Sequence, residues 1–188
     1  MEYQTVYFEH PGSANTDETL ALVKEWSDRL NMRTVIVATT SGATGAKAAE
    51  AFPGREVIAV THSAGFSAPD TQELLPEHRD RMLRAGAKVL TCQHAFAGVS
   101  RAVRFKFATY EIDEIVANAL RILGQGVKVA IEIALMAADA GLVRTDLDVI
   151  AVGGTESGAD SALVLRPANV SRFFDLRIRW ILCKPWET

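Results

Sequence analysis

Short apolar runs separated by helix-like segments constrain the fold of this 188-residue chain more than any other feature. "TVIVAT" (34–39) is rich in β-branched residues, and "EVIAVTH" (56–62) and "DLDVIAVGG" (146–154) contain similar runs. Continuous apolar runs of this length are typical of strands covered on both faces of a parallel sheet. Their alternation with helix-like segments indicates βαβ units. We therefore predict the α/β class, with a single three-layer αβα domain spanning residues 1–188.

The last two predicted strands have no helix between them, so we expect an antiparallel piece at the C-terminal end of a mainly parallel sheet. In the first helix, Asn15 stands three residues before Glu18, which is capping-box spacing, and Thr16 is the alternative cap. The predicted strands cover residues 4–8, 34–39, 56–62, 88–92, 146–154, 161–167 and 177–183. The predicted helices cover residues 16–30, 43–52, 76–86, 110–123 and 127–141, and residues 95–107 are predicted as a short helix or a loop.

Composition and charge argue against several classes of partner. The net charge is −3 and the pI is about 5.8, so there is no general attraction to nucleic acid or to an anionic membrane. The apolar stretches are too short to span a bilayer, and "MEYQTVYFEHPG" lacks the regions of a secretory signal. Cys92 and Cys183 lie in strand-like runs without metal-ligand spacing. We expect a cytoplasmic protein with reduced thiols and no metal.

A loop of small residues follows the strand at 34–39, and ligands of open α/β sheets bind beyond the carboxyl ends of strands. Hydroxyls, free backbone N–H groups and the positive end of a helix dipole would meet in this loop and favour an anion such as phosphate. The loop has neither the Walker pattern nor the G-x-G-x-x-G fingerprint. The alternative is a capped helix start with close packing. The loop residues are Thr39, Thr40, Ser41, Gly42, Ala43, Thr44 and Gly45.

The loop after the strand at 56–62 would border the same edge of the sheet. It contains Thr61, His62, Gly65 and Phe66. His62 is a candidate to contact a ligand or to exchange a proton with it, although lone loop histidines are more often structural. Phe66 is a candidate to stack on a planar ring, with core packing as the alternative.

A second glycine-rich loop follows the strand at 146–154. Glycines permit close approach of the backbone to a ligand, and they also permit turns that need positive φ angles. Parallel strands would place this loop beside Thr39–Gly45, and two such loops at one edge indicate a ligand site more strongly than either alone. Its candidate residues are Gly153, Gly154, Thr155, Gly158 and Asp160.

Two carboxylates share one face of the helix predicted at 127–141, because Glu132 and Asp139 are seven residues apart. A carboxylate in a buried helix needs a partner, and Lys128 stands four residues before Glu132. We interpret these groups as structural.

Two further sets of polar side chains lie near predicted strand or helix ends. Cys92 and His94 point to one face of a strand end, and we interpret them as structural because the sequence indicates no third catalytic partner. The basic run "RAVRFKF" is too short to indicate nucleic-acid binding, but Arg101 or Arg104 is a candidate to contact a phosphate.

Two segments resemble the C-terminal α/β domain of pyruvate kinases: "VIVATTSGATGAKAAEAFPGREVIAVT" and "DLDVIAVGGTESGADSALVLRP". In pyruvate kinases these two loops hold the phosphates of an allosteric sugar bisphosphate. The order Thr39, Ser41, Gly42, Thr44 matches the first loop, while Ala43 replaces the polar residue that is common there. The sequence shows no counterpart of the catalytic barrel, so the resemblance does not imply pyruvate kinase activity.

Between about Tyr7 and Cys183 the chain is similar to a small family of stand-alone pyruvate-kinase-C-terminal-domain-like proteins from archaea and bacteria. "AIEIALMAAD" and "AVGGTESGAD" carry much of this similarity. Members of that family bind flavin mononucleotide (FMN), so the resemblance implies FMN as the cofactor.

The sequence therefore predicts a protein that binds a phosphorylated small molecule, with FMN as the leading candidate. A non-enzymatic sensor of a sugar phosphate is the alternative, and a structural subunit that self-associates is the third hypothesis. If flavin binds, a flavin-dependent oxidoreductase becomes a hypothesis that no residue establishes. Apolar residues in "FKFATYEI" and "RIRWILCKPW" predict a homo-oligomer.

Overall fold

The computed structural model describes residues 3–187, and over this range one sheet of seven strands forms the centre of the molecule. The strand order is β1-β7-β6-β5-β2-β3-β4. Only β6 runs antiparallel to its neighbours, and the other four pairings are parallel. The predicted mainly parallel sheet with an antiparallel C-terminal piece is confirmed. The strands are β1 (Val6–Phe8), β2 (Thr34–Ala38), β3 (Glu56–Thr61), β4 (Lys88–Thr91), β5 (Val149–Gly153), β6 (Ser161–Arg166) and β7 (Arg177–Pro185).

Six α-helices and two 3-10 helices connect the described strands. Residues 95–107, predicted as a short helix or a loop, contain the helix α4. The α-helices are α1 (Thr16–Arg29), α2 (Ala43–Ala51), α3 (Pro76–Arg84), α4 (Val99–Phe107), α5 (Ile112–Arg121) and α6 (Gln125–Asp139), and the 3-10 helices are Ser13–Asn15 and Val170–Asp175.

The sheet separates two apolar cores, because successive side chains of a strand point to opposite faces. Val35 and Val37 of β2 pack in one core with Val23 of α1, whereas Ile36 packs in the other core with Leu135 of α6. The three-layer αβα arrangement is therefore confirmed. Burial explains the composition of α6, which packs against β5, β2 and β6 and is apolar on most sides.

The predicted capping box at Asn15 is wrong. Asn15 makes no side-chain capping hydrogen bond to α1, and its amide group instead donates to the carbonyl oxygen of His10 at 2.8 Å. The cause is the 3-10 turn at Ser13–Asn15, which gives Asn15 a helical backbone and turns its side chain back toward the preceding loop.

The predicted start of α6 at residue 127 is also wrong, because the helix begins at Gln125. Gly124, with a φ angle of 120°, is the residue before the helix, and Gly126 lies inside its first turn. A side chain on Gly126 would collide with Ser161 and Asp160, so this glycine allows packing and does not break the helix.

The surface of α4 and α5 carries large exposed apolar side chains. Four of them, Phe105, Phe107, Tyr110 and Ile112, are each more than half exposed. All four lie in the segment "FKFATYEI", one of the two from which we predict self-association. The homo-oligomer stays a prediction. No helix within residues 3–187 is both long and apolar enough to cross a membrane.

Candidate ligand-binding cleft

A cleft of about 800 Å³ lies at the carboxyl edge of the sheet, where the chain leaves β2, β3 and β5. This is the position at which open α/β sheets bind ligands. The predicted site residues that line it are Thr39, Thr40, Ser41, Ala43, Thr44, Thr61, His62, Phe66, Gly154 and Gly158. The predicted site residues outside its lining are Gly42, Gly65, Gly153, Thr155 and Asp160.

The cleft has more positive than negative side chains, although the whole chain has a net charge of −3. An excess of positive charge in a concave site favours anionic ligands. The lining cations are Lys47, Arg101, Arg104, Arg121 and Lys128, and the lining carboxylates are Glu114, Glu132 and Glu156.

The N-terminus of α2 forms one end of the cleft and offers hydrogen-bond donors. The Thr39 hydroxyl accepts the N–H of Gly45 at 3.2 Å, so Thr39 caps the helix. The Ser41 hydroxyl lies 3.5 Å from the backbone nitrogen of Ala43, at the limit of hydrogen bonding. The N–H of Thr44 has no hydrogen-bond partner in the described part of the chain. This N–H, the hydroxyls and the helix dipole together favour an anion.

Packing accounts for the two glycines beside this helix start. A side chain on Gly42 would place its Cβ 2.6 Å from both His78 and Leu74, and Gly42 has a φ angle of 97°. A Cβ on Gly45 would lie 2.6 Å from the sulfur of Met82. Close packing of α2 therefore requires both glycines, as the structural alternative predicts.

The buried carboxylate of Asp160 supports the glycine-rich loop from behind. Its Oδ2 accepts the N–H groups of Gly12 at 2.9 Å and Thr155 at 3.1 Å, and its Oδ1 accepts the hydroxyl of Ser161 at 2.8 Å. Asp160 therefore ties the N-terminal loop to the β5–β6 loop. The same two loops pack closely at Gly158, which has a φ angle of 76°, because a Cβ at this position would lie 2.6 Å from Ser13.

A cluster of rings, which we call the ring platform, forms another wall of the cleft; it consists of His62, Phe66, His94 and the guanidinium of Arg101. The ring centroids of His62 and Phe66 are 4.0 Å apart, and those of Phe66 and His94 are 5.0 Å apart. The Arg101 guanidinium lies 4.2 Å from the centroid of Phe66. The His62 Nδ1 atom is 2.8 Å from a carboxylate oxygen of Glu73. The platform thus joins the loop after β3 to α4.

A buried ion pair, which the sequence pattern alone indicates to be structural, lines the same cleft. Lys128 and Glu132 are 7% and 4% exposed, and the Lys128 ammonium contacts the Glu132 Oε2 atom. The Glu132 Oε1 atom accepts the N–H of Phe96 at 3.1 Å. His94 Nδ1 lies 3.8 Å from Oε2, a distance too long for a full hydrogen bond. The predicted Lys128–Glu132 pairing is confirmed, and its position adds His94, Lys128 and Glu132 to the candidate site.

The pKa of Glu132 is strongly perturbed. Burial by itself raises the pKa of this carboxyl, but the contact with His94 and the charge of Lys128 oppose burial and lower the pKa to about 2. Glu132 is therefore ionised at neutral pH in spite of its burial.

We expect this ionised carboxylate to make the fold sensitive to acid. Because the pKa of Glu132 falls from 4.5 to about 2 on folding, its stabilising contribution is complete above about pH 5 and is lost as the pH falls through 4.5 toward 2. Between pH 5 and pH 3 the free energy of unfolding should fall by about 2 kcal/mol more in the unaltered protein than in Glu132→Gln. Urea unfolding at both pH values measures this difference, and parallel pH dependences of the two proteins would contradict it.

The other groups considered from the sequence have structural contacts. Asp139 accepts the N–H of Val170 at 3.1 Å and a hydrogen bond from Asn169, so it holds the second 3-10 helix. Burial raises the pKa of the half-buried Cys92 thiol, and the negative charge of Asp139 raises it further. Burial also raises the pKa of the Cys183 thiol, to about 12. Within residues 3–187, no group of three or more His, Cys, Asp or Glu side chains could hold a metal ion.

Three solved structures similar to this chain are pyruvate kinases from Cryptosporidium parvum. The first is 18% identical and has a TM-score of 0.42, and the match covers 84% of this chain and 23% of that pyruvate kinase. The second is 15% identical, with coverages of 85% and 24% and a TM-score of 0.41. The third, in complex with ADP, is 18% identical, with coverages of 91% and 24% and a TM-score of 0.40. This chain spans about a quarter of the length of these three proteins.

The model of the family described as "Pyruvate kinase, alpha/beta domain" matches residues 17–165, which is more than half of the chain. This range includes nearly all of α1, the parallel strands from β2 to β5, and most of β6. The chain belongs to the pyruvate kinase alpha/beta domain family.

Proposed function

We propose that the cleft binds a phosphorylated small molecule that carries a planar ring, and that FMN is the ligand that fits it best. One observation carries this proposal: the donor-rich start of α2 and the ring platform line the same cleft. Its volume of about 800 Å³ lies within the range usual for cofactor-sized ligands.

The two ends of the cleft suit the two ends of such a ligand. The hydroxyls of Thr40, Ser41 and Thr44 and the free N–H of Thr44 would hold the phosphate. Lys47, which follows on α2 and also lines the cleft, pairs with Asp17 at 2.8 Å, and it would add positive charge to that end by leaving this exposed pair. His62 and Phe66 would face the ring. When bound, flavin would supply redox chemistry, and the protein would position it.

A sugar phosphate is the second candidate ligand, in a regulatory role without catalysis. The observation that favours it is the polar rim of the cleft, where Ser13, Glu156 and Ser157 offer groups that could bind sugar hydroxyls. Mass spectrometry of small molecules released from the purified protein distinguishes the two candidates, and absorbance in the flavin bands identifies FMN directly.

The phosphate end can be tested by removing hydroxyls. We expect the double variant Ser41→Ala/Thr44→Val to bind FMN at least ~10-fold more weakly, because hydrogen bonds to a charged phosphate contribute about 1.5–3 kcal/mol each. Quenching of FMN fluorescence during titration measures the affinity.

Thr145→Val is the matched control, since Thr145 is exposed and precedes β5 at the opposite edge of the sheet. We expect its affinity for FMN to equal that of the unaltered protein. Equal affinity in the double variant would refute the assignment of the phosphate to the start of α2. Thermal unfolding with a sugar phosphate extends the test, because a ligand of the native state raises the melting temperature.

A further inference from the structure

The cations that line the cleft differ in whether their charge has a partner. Within residues 3–187, the guanidinium of Arg101 contacts neither a carboxylate nor any other hydrogen-bond acceptor. Each of the other lining cations contacts a carboxylate or an amide oxygen. The pairs are Lys47 with Asp17, Arg104 with Glu114, Lys128 with Glu132, and Arg121 with Gln125 and Asn118.

The guanidinium of Arg101 is open to a ligand. The residue is half-buried, and none of its side-chain nitrogens is shut off from solvent. Its Cζ atom lies 4.2 Å from the ring centroid of Phe66 and 5.8 Å from that of Phe105. The attraction of a cation to a ring face uses no hydrogen-bond donor, so these contacts leave the N–H groups of Arg101 free. Arg101 therefore brings a set of unused donors to the cleft.

The position of Arg101 separates it from the phosphate end of the cleft. Arg101 lies on α4 and belongs to the ring platform, whereas the proposed phosphate donors stand at the start of α2. A ligand whose phosphate binds at α2 would present its ring to the platform. Because a guanidinium donates hydrogen bonds and accepts none, a ring that contacts Arg101 needs acceptor atoms at its edge.

We propose that Arg101 donates hydrogen bonds to acceptor atoms at the ring edge of the bound ligand and does not contact the phosphate. This inference rests on the proposed function and narrows its ligand class to phosphorylated compounds whose planar ring carries carbonyl oxygens or negative charge at its edge. The FMN ring carries such carbonyl oxygens. Arg104, the other arginine of α4 in the cleft, lies 2.9 Å from a carboxylate oxygen of Glu114 and takes no part in this contact.

A comparison of FMN with riboflavin tests this assignment in the full chain, because riboflavin has the same ring and lacks the phosphate. We expect Arg101→Met to bind both flavins ~10-fold more weakly than the unaltered protein, since the same ring contact is lost with each. Arg101→Lys keeps the charge but not the planar fork of donors, so its affinity for both should be intermediate. Quenching of flavin fluorescence during titration measures the four affinities of these two variants.

Lys106→Met is the matched control for the loss of one positive charge from α4. Lys106 contacts the ring of Phe107 at 5.6 Å, much as Arg101 contacts Phe66, but it lies outside the lining of the cleft. We expect unchanged affinity for both flavins. The melting temperature of Arg101→Met without ligand should stay within about 4 °C of that of the unaltered protein, because methionine keeps the apolar part of the side chain and loses one cation–π contact.

The outcomes separate the two proposals. A loss confined to FMN would assign Arg101 to the phosphate, and unchanged affinity of Arg101→Met for both flavins would remove Arg101 from the site; either result overturns the inference and leaves FMN binding standing. Failure of riboflavin to bind the unaltered protein would show that ring contacts supply no affinity, and it would overturn the inference as well. Failure of the unaltered protein to bind FMN would overturn both proposals. A larger fall in the melting temperature of Arg101→Met would show that Arg101 serves the fold, which also overturns the inference.

Discussion

Replacing Lys128 by methionine is expected to destabilise the protein by about 3–5 kcal/mol, because it leaves the buried carboxylate of Glu132 without its cation. Methionine retains the length and apolar part of the lysine side chain, so lost packing contributes little. The neighbouring His94, 3.8 Å away, is too distant to replace the contact with Lys128. Urea unfolding at pH 7 measures the loss, and the slope of the transition should stay unchanged.

The double variant Lys128→Met/Glu132→Gln is the matched control for the uncompensated charge. Glutamine removes the charge and keeps an oxygen that can accept the N–H of Phe96, so most of the stability should return. Glu25→Gln breaks an exposed pair with Arg29 of the same (i, i+4) spacing and should cost less than about 0.5 kcal/mol. A loss of less than about 1 kcal/mol in Lys128→Met would contradict the burial of this ion pair.

Much of the fold follows from the sequence because the decisive signals are local. The apolar runs that form β2, β3 and β5 indicate strands buried on both faces, and the lack of a predicted helix between the last two strands indicates the antiparallel C-terminal piece. The wrong start of α6 lies where a distant contact decides the local structure. Gly126 resembles a helix breaker in sequence, but its packing against Asp160 and Ser161 places it inside α6.

The candidate site was only partly predictable for the same physical reason. Thr44, His62 and Phe66 follow strands, so the rule that ligands bind at the carboxyl edge identifies them. Lys128 and Glu132 lie on a helix, and only the packing of α6 across the sheet decides whether the pair faces the cleft. The position of His94 beside Glu132 likewise depends on packing between residues that are 38 positions apart in sequence.

Glycines show most clearly what the sequence does not decide, because close approach of a ligand and close packing of a neighbouring backbone both require a residue without a side chain. The sequence predicts close approach of a ligand at Gly153, but this residue lies outside the lining of the cleft. A Cβ at this position would lie 2.9 Å from the backbone nitrogen of Ala130 and would collide with the carbonyl oxygen of Gly126. The close approach is therefore that of β5 to α6.

Gly153→Ala is accordingly expected to destabilise the protein by about 3 kcal/mol or more, at the upper end of the cost of overpacking. Both colliding atoms belong to the backbone of α6, so no change of side-chain rotamer can relieve the contact, and the helix must move away from β5. Because α6 carries Lys128 and Glu132 in the floor of the cleft, we expect the affinity for FMN to fall as well. Urea unfolding and FMN titration of the same preparation measure the two effects.

Gly54→Ala separates the steric cost at Gly153 from the general cost of replacing a glycine. Gly54 has a φ angle of 80°, and a Cβ added there would have no atom within 4 Å, so alanine meets only backbone strain of about 1 kcal/mol. We expect FMN affinity to be unchanged in this control, since Gly54 lies outside the lining of the cleft. If Gly153→Ala cost no more than Gly54→Ala, the contact between β5 and α6 would be able to relax, and the glycine would have to be explained by the ligand instead.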